Sequence, residues 1–269
     1  MLLEPPLDIG WPQLMIAAAL VLVALGLSAW QRLGLGKSLA VGTLRAIVQL
    51  IAVGYVLLWV FAADRWYVVC GVLLLMVMTA SFTATRRLRA PAAVRRRLSL
   101  ICSVAILAGS GLTLAYVGAV IHVTPWYNPR YLIPLFGMIV ANAMNAAALG
   151  AERLQSEMDA GRAQIEAYLA LGASAQQASA EQVRRALIAS LIPTVNMLAV
   201  MGIVALPGMM TGQILAGISP NLAVRYQLVV VFMLTSATAI TSAGVVLWYR
   251  RSFFSAAAQL LPMTTLRSG

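Results

Sequence analysis

Charged side chains are scarce in this chain of 269 residues. Asp, Glu, Lys and Arg together make up 10%, whereas a typical soluble domain carries about 25%. Hydrophobic residues reach 61%, against about 45–50% in soluble domains. A soluble domain of this size cannot hide so much apolar surface, and a disordered chain would be far more polar. The composition therefore excludes both classes and leaves a polytopic membrane protein.

The residue types that build metal or catalytic centres are also few. Cys70 and Cys102 both lie in apolar runs and indicate neither a disulfide framework nor a metal knuckle. His122 is the one histidine of the sequence. The tripeptide Gly36–Ser38 looks like the end of a P-loop, but Gln31 stands where the first glycine is needed, and no strand precedes it. We therefore expect no ATP-binding site in this chain, and any energy that its function needs must come from a partner or an ion gradient.

Stretches without Asp, Glu, Lys or Arg predict the membrane spans, because about 20 apolar residues cross the hydrocarbon core as a helix. Seven such runs occur: 9–31, 46–63, 66–85, 98–129, 131–151, 186–224 and 226–249. In the run 186–224 we expect one helix over about 187–206, followed by a broken segment over 208–222 that is buried in protein or lines a cavity. Two tight spans are the alternative. The sequence predicts an all-α protein with about seven transmembrane helices in a single domain, 1–269.

The basic residues set the expected orientation. If the N-terminus lies outside, sixteen of the 19 basic residues fall on cytoplasmic loops, and only Arg65, Arg130 and Arg225 fall outside. Lys and Arg accumulate on the cytoplasmic side of membranes. We therefore predict an outside N-terminus and an inside C-terminus. The net charge of +11 then needs no nucleic-acid partner. The first ten residues contain no Lys or Arg, so no cleaved signal peptide is expected.

Residues 152–185 form the one sizeable soluble segment, with five of the eight acidic residues. Apolar and small residues recur there at helical spacings of three and four: Leu154, Met158, Gly161, Ile165, Leu169 and Gly172. The pattern predicts an amphipathic cytoplasmic helix or helical hairpin that breaks near Gly172. Ser174 is a suitable N-cap for a second helix from Ala175.

A short motif lies inside this segment. Glu166, Ala167 and Gly172 stand in the register of the EAA loop of ABC-transporter permeases, which they resemble. Tyr168 replaces the second alanine, and the downstream Leu-Ile-Pro at 191–193 lies farther from the glycine than is usual. The resemblance implies a coupling helix that docks into a groove on an ATPase subunit, with Glu166, Ala167 and Gly172 as coupling residues. A surface helix on the inner leaflet is the alternative.

The wider sequence is identified as a member of the bacterial FetB-like iron-export ABC permease family, related to a plant aluminium-tolerance permease. The resemblance rests on the stretches 42–50, 142–149, 193–198, 202–217 and 224–227. It implies a permease in the bacterial inner membrane that forms a homodimer in the lipid bilayer, with separate ABC ATPase subunits. ATP would bind to those partners, and this chain would bind no cofactor. Within the family, bacterial members imply iron export and plant members a nucleotide-sugar.

Polar and sulfur-containing residues in the predicted spans are candidates for the substrate pathway: Arg45, Gln49, Asn142, Asn145, Asn196, Met209, Met210 and Gln213. These residues could instead have structural roles: snorkelling for the arginine, interhelical hydrogen bonds for the amides and packing for the methionines. No Asp or Glu lies inside a predicted span, so the metal ligands stay unknown. A homodimer could build a symmetric site from paired Asn, Gln and Met.

Three other classes compete with an ABC permease. A secondary transporter driven by an ion gradient would need intramembrane carboxylates or histidines for a proton relay. A membrane enzyme would need a catalytic constellation, and the sequence offers none, so we expect no catalytic residue. A membrane scaffold that transports nothing remains the third alternative.

Overall fold

The computed structural model describes residues 10–32, 34–63, 65–86, 92–121, 125–255 and 257–261. It divides into two compact units, one up to Arg65 and one from Trp66 onward. The first unit contains α1 (Trp11–Trp30) and α2 (Gly36–Ala63). The second contains α3 (Trp66–Arg86), α4 (Ala92–Ile121), α5 (Pro129–Ala160), α6 (Arg162–Ala170), α7 (Ala175–Ala178), α8 (Ala180–Val200), α9 (Gly208–Leu215), α10 (Pro220–Arg250) and a 3₁₀ turn over Arg251–Phe253.

The prediction of an all-helical membrane protein is confirmed. Among the described residues, six helices are long and apolar enough to cross a membrane, and a shorter apolar helix covers Met15–Trp30 within α1. These seven helices correspond to the seven predicted spans. Outside the helices, the same residues form only isolated bridges and no β-strand. The orientation of the termini and the single domain over 1–269 stay predictions.

The run 186–224 differs from the prediction at both of its parts. The helix expected over about 187–206 ends at Val200. Residues 201–207 leave the helix, and Gly202 there has φ +82, which glycine adopts without steric cost. The segment 208–222 is not broken throughout, since Gly208–Leu215 forms α9.

The last membrane helix also begins earlier than its charge-free run. A turn with Gly217 at φ +87 follows α9, and Pro220 then stands in the first turn of α10. Proline is tolerated there because the first amides of a helix have no intrahelical partner. Arg225, which bounded the predicted span, is therefore the sixth residue of α10.

The segment 152–185, which the charge distribution predicts to be cytoplasmic, is a series of helices rather than one. Helix α5 continues without a break from the predicted span to Ala160, and α6 follows. The predicted break is confirmed at Gly172, which has φ +86. The predicted cap is confirmed as well, because Ser174 Oγ accepts a hydrogen bond from the Gln177 amide at 3.3 Å, and Gln177 Oε1 accepts one from the Ser174 amide at 2.9 Å.

Helix α10 is the most deeply buried membrane-length helix of the second unit. It approaches α4 at Gly109, where an added Cβ would lie 2.7 Å from Thr241 Oγ1. It meets α5 and α8 at Gly150, where an added Cβ would lie 3.0 Å from Val246 Cγ2 and 3.4 Å from Ser190 Cβ. Small residues at these crossings let the backbones pack closely, and this packing fixes the helices that form the site.

Candidate functional site

A cleft of about 120 Å³ opens between α5, α8 and α10. Two helices contribute four residues each at spacings of three, four and seven, so that each set forms a single face. The third helix contributes one hydroxyl. The lining comprises Asn142, Asn145, Ala146 and Leu149 of α5, Ser190, Pro193, Thr194 and Met197 of α8, and Thr238 of α10.

The polar groups of the cleft differ in how far they are already hydrogen-bonded. Asn142 Nδ2 donates to the Met138 carbonyl at 2.9 Å, which leaves the amide oxygen out of that bond. Ser190 Oγ donates to the Leu187 carbonyl at 2.7 Å and also contacts Ser242 Oγ. Thr238 is 2% exposed, and its Oγ1 has no hydrogen-bond partner among the described residues. Since buried hydroxyls are normally paired, this unpaired hydroxyl makes Thr238 a candidate contact for a ligand in the cleft.

The nine lining residues are all uncharged. Their oxygens and amides can hydrogen-bond a polar ligand, and the Met197 thioether adds one soft donor. None of these nine residues carries a charge that could compensate a bare ion for the water it would lose on entering the cleft, and that loss is costly. The cleft therefore offers hydrogen-bonding groups and no charge to a ligand.

Pro193 interrupts the backbone of α8 where the helix faces the cleft. It lies inside α8 and has no amide hydrogen, so the Ala189 carbonyl lacks its usual helical partner. Such sites bend helices and leave a polar backbone group open. The cleft thus lies beside a position of α8 that lacks one backbone hydrogen bond.

The other predicted pathway residues lie apart from the lining of this cleft. Asn196 of α8 is exposed, and Met209 and Met210 of α9 are partly buried. Gln213 Oε1 is buried without a hydrogen-bond partner among the described residues. Gln213 therefore keeps an unused acceptor, and its role in a substrate pathway stays a prediction.

Two predicted pathway residues belong to the first unit. Arg45 and Gln49 lie one helical turn apart on α2, and both are exposed. Their spacing places them on one face, as predicted. His122, which was not chosen for the pathway, lies outside the described residues.

Several polar residues of the second unit were missed by sequence reasoning. Ser190 and Thr194 carried a signal, because with Pro193 and Met197 they repeat the spacing of Asn142, Asn145, Ala146 and Leu149. The sequence contains no signal that distinguishes Thr238 and Gln227 from the other polar residues of α10. Gln227 is buried, and its Oε1 is also unpaired among the described residues.

Methionines from four helices pack in one cluster beside the cleft. Met233 of α10 is fully buried, and Met138, Met197 and Met209 of α5, α8 and α9 pack against the same core. Met197 belongs to both the cluster and the cleft. Thioethers are soft ligands and adaptable packing groups, so the sulfurs add a second kind of donor at the edge of the cleft.

The predicted coupling residues lie on an exposed surface of the segment 152–185. The apolar stripe of the segment is buried at Leu154, Met158 and Ile165, as the periodicity predicted. On the other side, Glu166, Ala167 and Gly172 are exposed. We call this face, with Tyr168 and Leu171, the α6 surface.

The α6 surface combines one charge, two apolar side chains and one open glycine. Glu166 Oε1 lies 2.9 Å from Arg162 Nη2. Tyr168 is 46% and Leu171 83% exposed, so this surface offers two apolar side chains to a partner. No atom lies within 4 Å of an added Cβ at Gly172. The surface can therefore receive a partner at close range.

Comparison with known proteins gives a consistent answer over nearly the whole chain. Residues 11–254 match the model of the uncharacterised protein family UPF0014. A UPF0014 membrane protein of Synechocystis sp. is 40% identical over 94% of this chain and 95% of its own length. The probable iron export permease protein FetB of Escherichia coli is 36% identical, with 92% and 93% covered.

A plant protein is similar to the same degree. The protein ALUMINUM SENSITIVE 3 of Arabidopsis thaliana is 35% identical, over 91% of this chain and 88% of its own length. No solved structure matches this chain. The family match, the identities and the membrane-length helices agree, and the chain therefore belongs to UPF0014, a family of membrane proteins.

Proposed function

We propose that this chain is the membrane-spanning permease subunit of an ABC exporter in a bacterial inner membrane. Two copies would assemble with two separate ATPase subunits, which bind and hydrolyse ATP. The name of the Escherichia coli relative, a probable iron export permease, supports iron or another metal as the cargo. The observation that carries the proposal is that α5 joins the cleft to the cytoplasmic segment as one continuous helix.

The lengths of the helices show how such a machine would transmit force. Helix α5 has 32 residues, and Asn142 lies 18 residues before its cytoplasmic end, about 27 Å along the axis. Helix α8 likewise runs from the cytoplasmic Glu181 to Met197 in the cleft. A partner that moves the cytoplasmic ends would tilt both walls of the cleft. Closure of the ATPase pair would thereby switch the cleft between two states of access.

The uncharged lining of the cleft favours a hydrated or chelated metal ion over a bare one as the cargo. Neutral oxygens and amides bind a hydrated or chelated metal ion through its shell, whereas a bare ion would need opposite charges to replace its water. We therefore propose that the metal travels with its ligands. The methionine cluster favours a second candidate cargo, a soft monovalent ion such as Cu(I), for which thioether sulfur is a good ligand.

The test is ATP-dependent uptake into inside-out vesicles that contain this chain and a co-expressed ABC ATPase of the same organism. Iron and silver, the latter standing in for Cu(I), are supplied in separate assays. We expect Thr238→Val to lower iron uptake about tenfold, the loss of one hydrogen bond to a charged or polarised ligand. The matched control is Thr235→Val, because the Thr235 hydroxyl is already satisfied by the Val231 carbonyl at 2.8 Å.

Three outcomes would change the proposal. Uptake of neither ion with any co-expressed ATPase would favour the membrane scaffold. Uptake of silver alone would replace iron by a soft cargo. Equal uptake by Thr238→Val and Thr235→Val would remove the cleft from the pathway.

A further inference from the structure

The chain ends its described part in a small hairpin at the cytoplasmic end of α10. Phe254 and Leu260 form an antiparallel bridge, and the Leu261 amide donates to the Phe253 carbonyl at 2.9 Å. The Ser255 amide donates to the Gln259 carbonyl at 2.8 Å. We call residues 253–261 the C-terminal hairpin; residue 256 is outside the described part.

The C-terminal hairpin is joined firmly to α10. It follows that helix through the 3₁₀ turn Arg251–Phe253. Phe253 is 1% exposed, and its ring lies 4.9 Å from the ring of Tyr249 in an edge-to-face arrangement, a favourable geometry for aromatic pairs. A movement of the hairpin is therefore a movement of the end of α10.

The same hairpin is bound to α6 through Arg162, the first residue of that helix. Arg162 Nη1 donates to the Leu261 carbonyl at 3.2 Å, and Nη2 donates to the Leu260 carbonyl at 3.4 Å. The guanidinium also pairs with Glu166. A planar guanidinium can serve both carbonyls and the carboxylate at once, which an ammonium cannot do with the same geometry.

Apolar contacts reinforce this attachment. Phe254 and Leu260 of the hairpin pack against the buried cluster that contains Leu154, Met158 and Ile165. The hairpin thus covers the inner side of the cytoplasmic segment while the α6 surface on the other side stays open. Along the backbone, α6 is connected through turns at Gly161 and at residues 171–174. The hairpin therefore adds the hydrogen bonds of Arg162 to the packing that Ile165 already makes in this cluster.

We infer that Arg162 is a positioning residue that locks α6 to α10 through the C-terminal hairpin, so that displacement of α6 reaches the cleft through α10 as well as through α5. Thr238 lies 15 residues before Phe253, about 22 Å along α10 if the helix is continued. The inference rests on the proposed function for its cargo and partner. It assigns a second path of coupling, which begins at a residue outside the resemblance to the EAA loop.

The experiment compares Arg162→Gln, Arg162→Lys and Arg153→Gln in the full-length chain. Arg153 is an exposed arginine near the cytoplasmic end of α5 and serves as the matched control. Hydrogen exchange is measured for peptides 253–261 and 162–170. We expect exchange in both peptides to rise about threefold to tenfold in Arg162→Gln, as loss of charge-assisted hydrogen bonds at a half-exposed site implies, with a smaller rise in Arg162→Lys.

The second readout is the ratio of cargo transported to ATP hydrolysed in vesicles. We expect Arg162→Gln to keep ATPase co-purification and to lower this ratio, Arg162→Lys to restore part of it, and Arg153→Gln to match the wild type. A merely structural role would lower the amount of folded protein without changing the ratio.

The two readouts separate the possible failures. Unchanged hydrogen exchange in Arg162→Gln would show that Arg162 does not hold the hairpin. Faster exchange with an unchanged ratio would overturn the coupling path while leaving the contact in place. Absence of ATP-dependent transport in the wild type would overturn the proposed function and the coupling path together, and hydrogen exchange alone would then decide the contact.

Discussion

Single glycines decide how closely the helices of the second unit can approach. We expect Gly109→Ala to lower the free energy of unfolding by about 1–3 kcal/mol, the usual cost of overpacking, because the new methyl would lie 2.9 Å from the Ala237 carbonyl oxygen as well as against Thr241. Thermal unfolding in detergent measures this. Gly111→Ala on the same helix has nothing within 4 Å, so an equal loss in both variants would contradict the explanation.

Gly172 is constrained by its backbone rather than by its neighbours. Its φ of +86 is strained for a side chain in otherwise open space. We expect Gly172→Val to cost about 1–2 kcal/mol locally and to weaken ATPase co-purification. Gly172→Asn should be milder, because Asn tolerates this conformation. Both variants should insert into the membrane normally; equal co-purification of wild type and Gly172→Val would show that this turn is not part of the docking surface.

The unpaired hydroxyl of Thr238 is expected to affect transport and thermal stability differently. A buried hydroxyl without a partner costs roughly 1–3 kcal/mol on mutational scales. We therefore expect Thr238→Val, which keeps the shape, to leave the thermal stability equal or higher while transport falls. A lower stability would mean that the hydroxyl is paired in the folded protein and is not reserved for a ligand.

At the scale of elements, the short helix α7 depends on its first residue. Ser174 and Gln177 satisfy each other's backbone amides reciprocally, and loss of such a cap costs about 1 kcal/mol. We expect Ser174→Ala to raise hydrogen exchange in residues 174–179 by about fivefold, and Ser156→Ala, an exposed residue inside α5, to leave those residues unchanged. Equal exchange in the two variants would show that α7 is held by packing alone.

Which elements could be predicted follows from how local their causes are. Three features depend only on neighbouring residues and could therefore be predicted from the sequence: the cap at Ser174, the turn at Gly172 and the buried stripe from Leu154 to Ile165. The cleft depends on which helices pack together, and helical spacing alone does not say that Thr238 and Asn142 line the same cleft. The contact between Arg162 and Leu261 joins residues 99 apart and left no local pattern.

The helix boundaries in the run 186–224 were predicted wrongly for a related reason. The end of α8 at Val200 and the helix α9 lie inside one charge-free run, where hydropathy has no contrast to mark a boundary. Glycines and prolines in that run indicated a break, and the positive φ of Gly202 and Gly217 shows where it lies. Charge-free runs thus predict which residues span the membrane, whereas the positions of glycine and proline indicate the turns within a run.

For the whole molecule, the distribution of basic residues makes a prediction that the fold alone does not. With an odd number of spans, the two termini lie on opposite sides of the membrane. We expect a cysteine added at the N-terminus to react with an impermeant maleimide in intact cells, and one at the C-terminus to react only after permeabilisation. Labelling of both termini from the same side would contradict the seven-span topology.

The uncharged lining of the cleft has a consequence for the energetics of transport. If the cleft changes its access from one side of the membrane to the other, as we propose, its nine neutral lining residues carry no charge of their own through the electric field. Each unit of charge that crosses is worth about 2.3 kcal/mol per 100 mV, and at this cleft that work falls on the cargo alone. The current per transport cycle would then report the net charge of the complexed metal, and a neutral complex would move at a rate independent of membrane voltage.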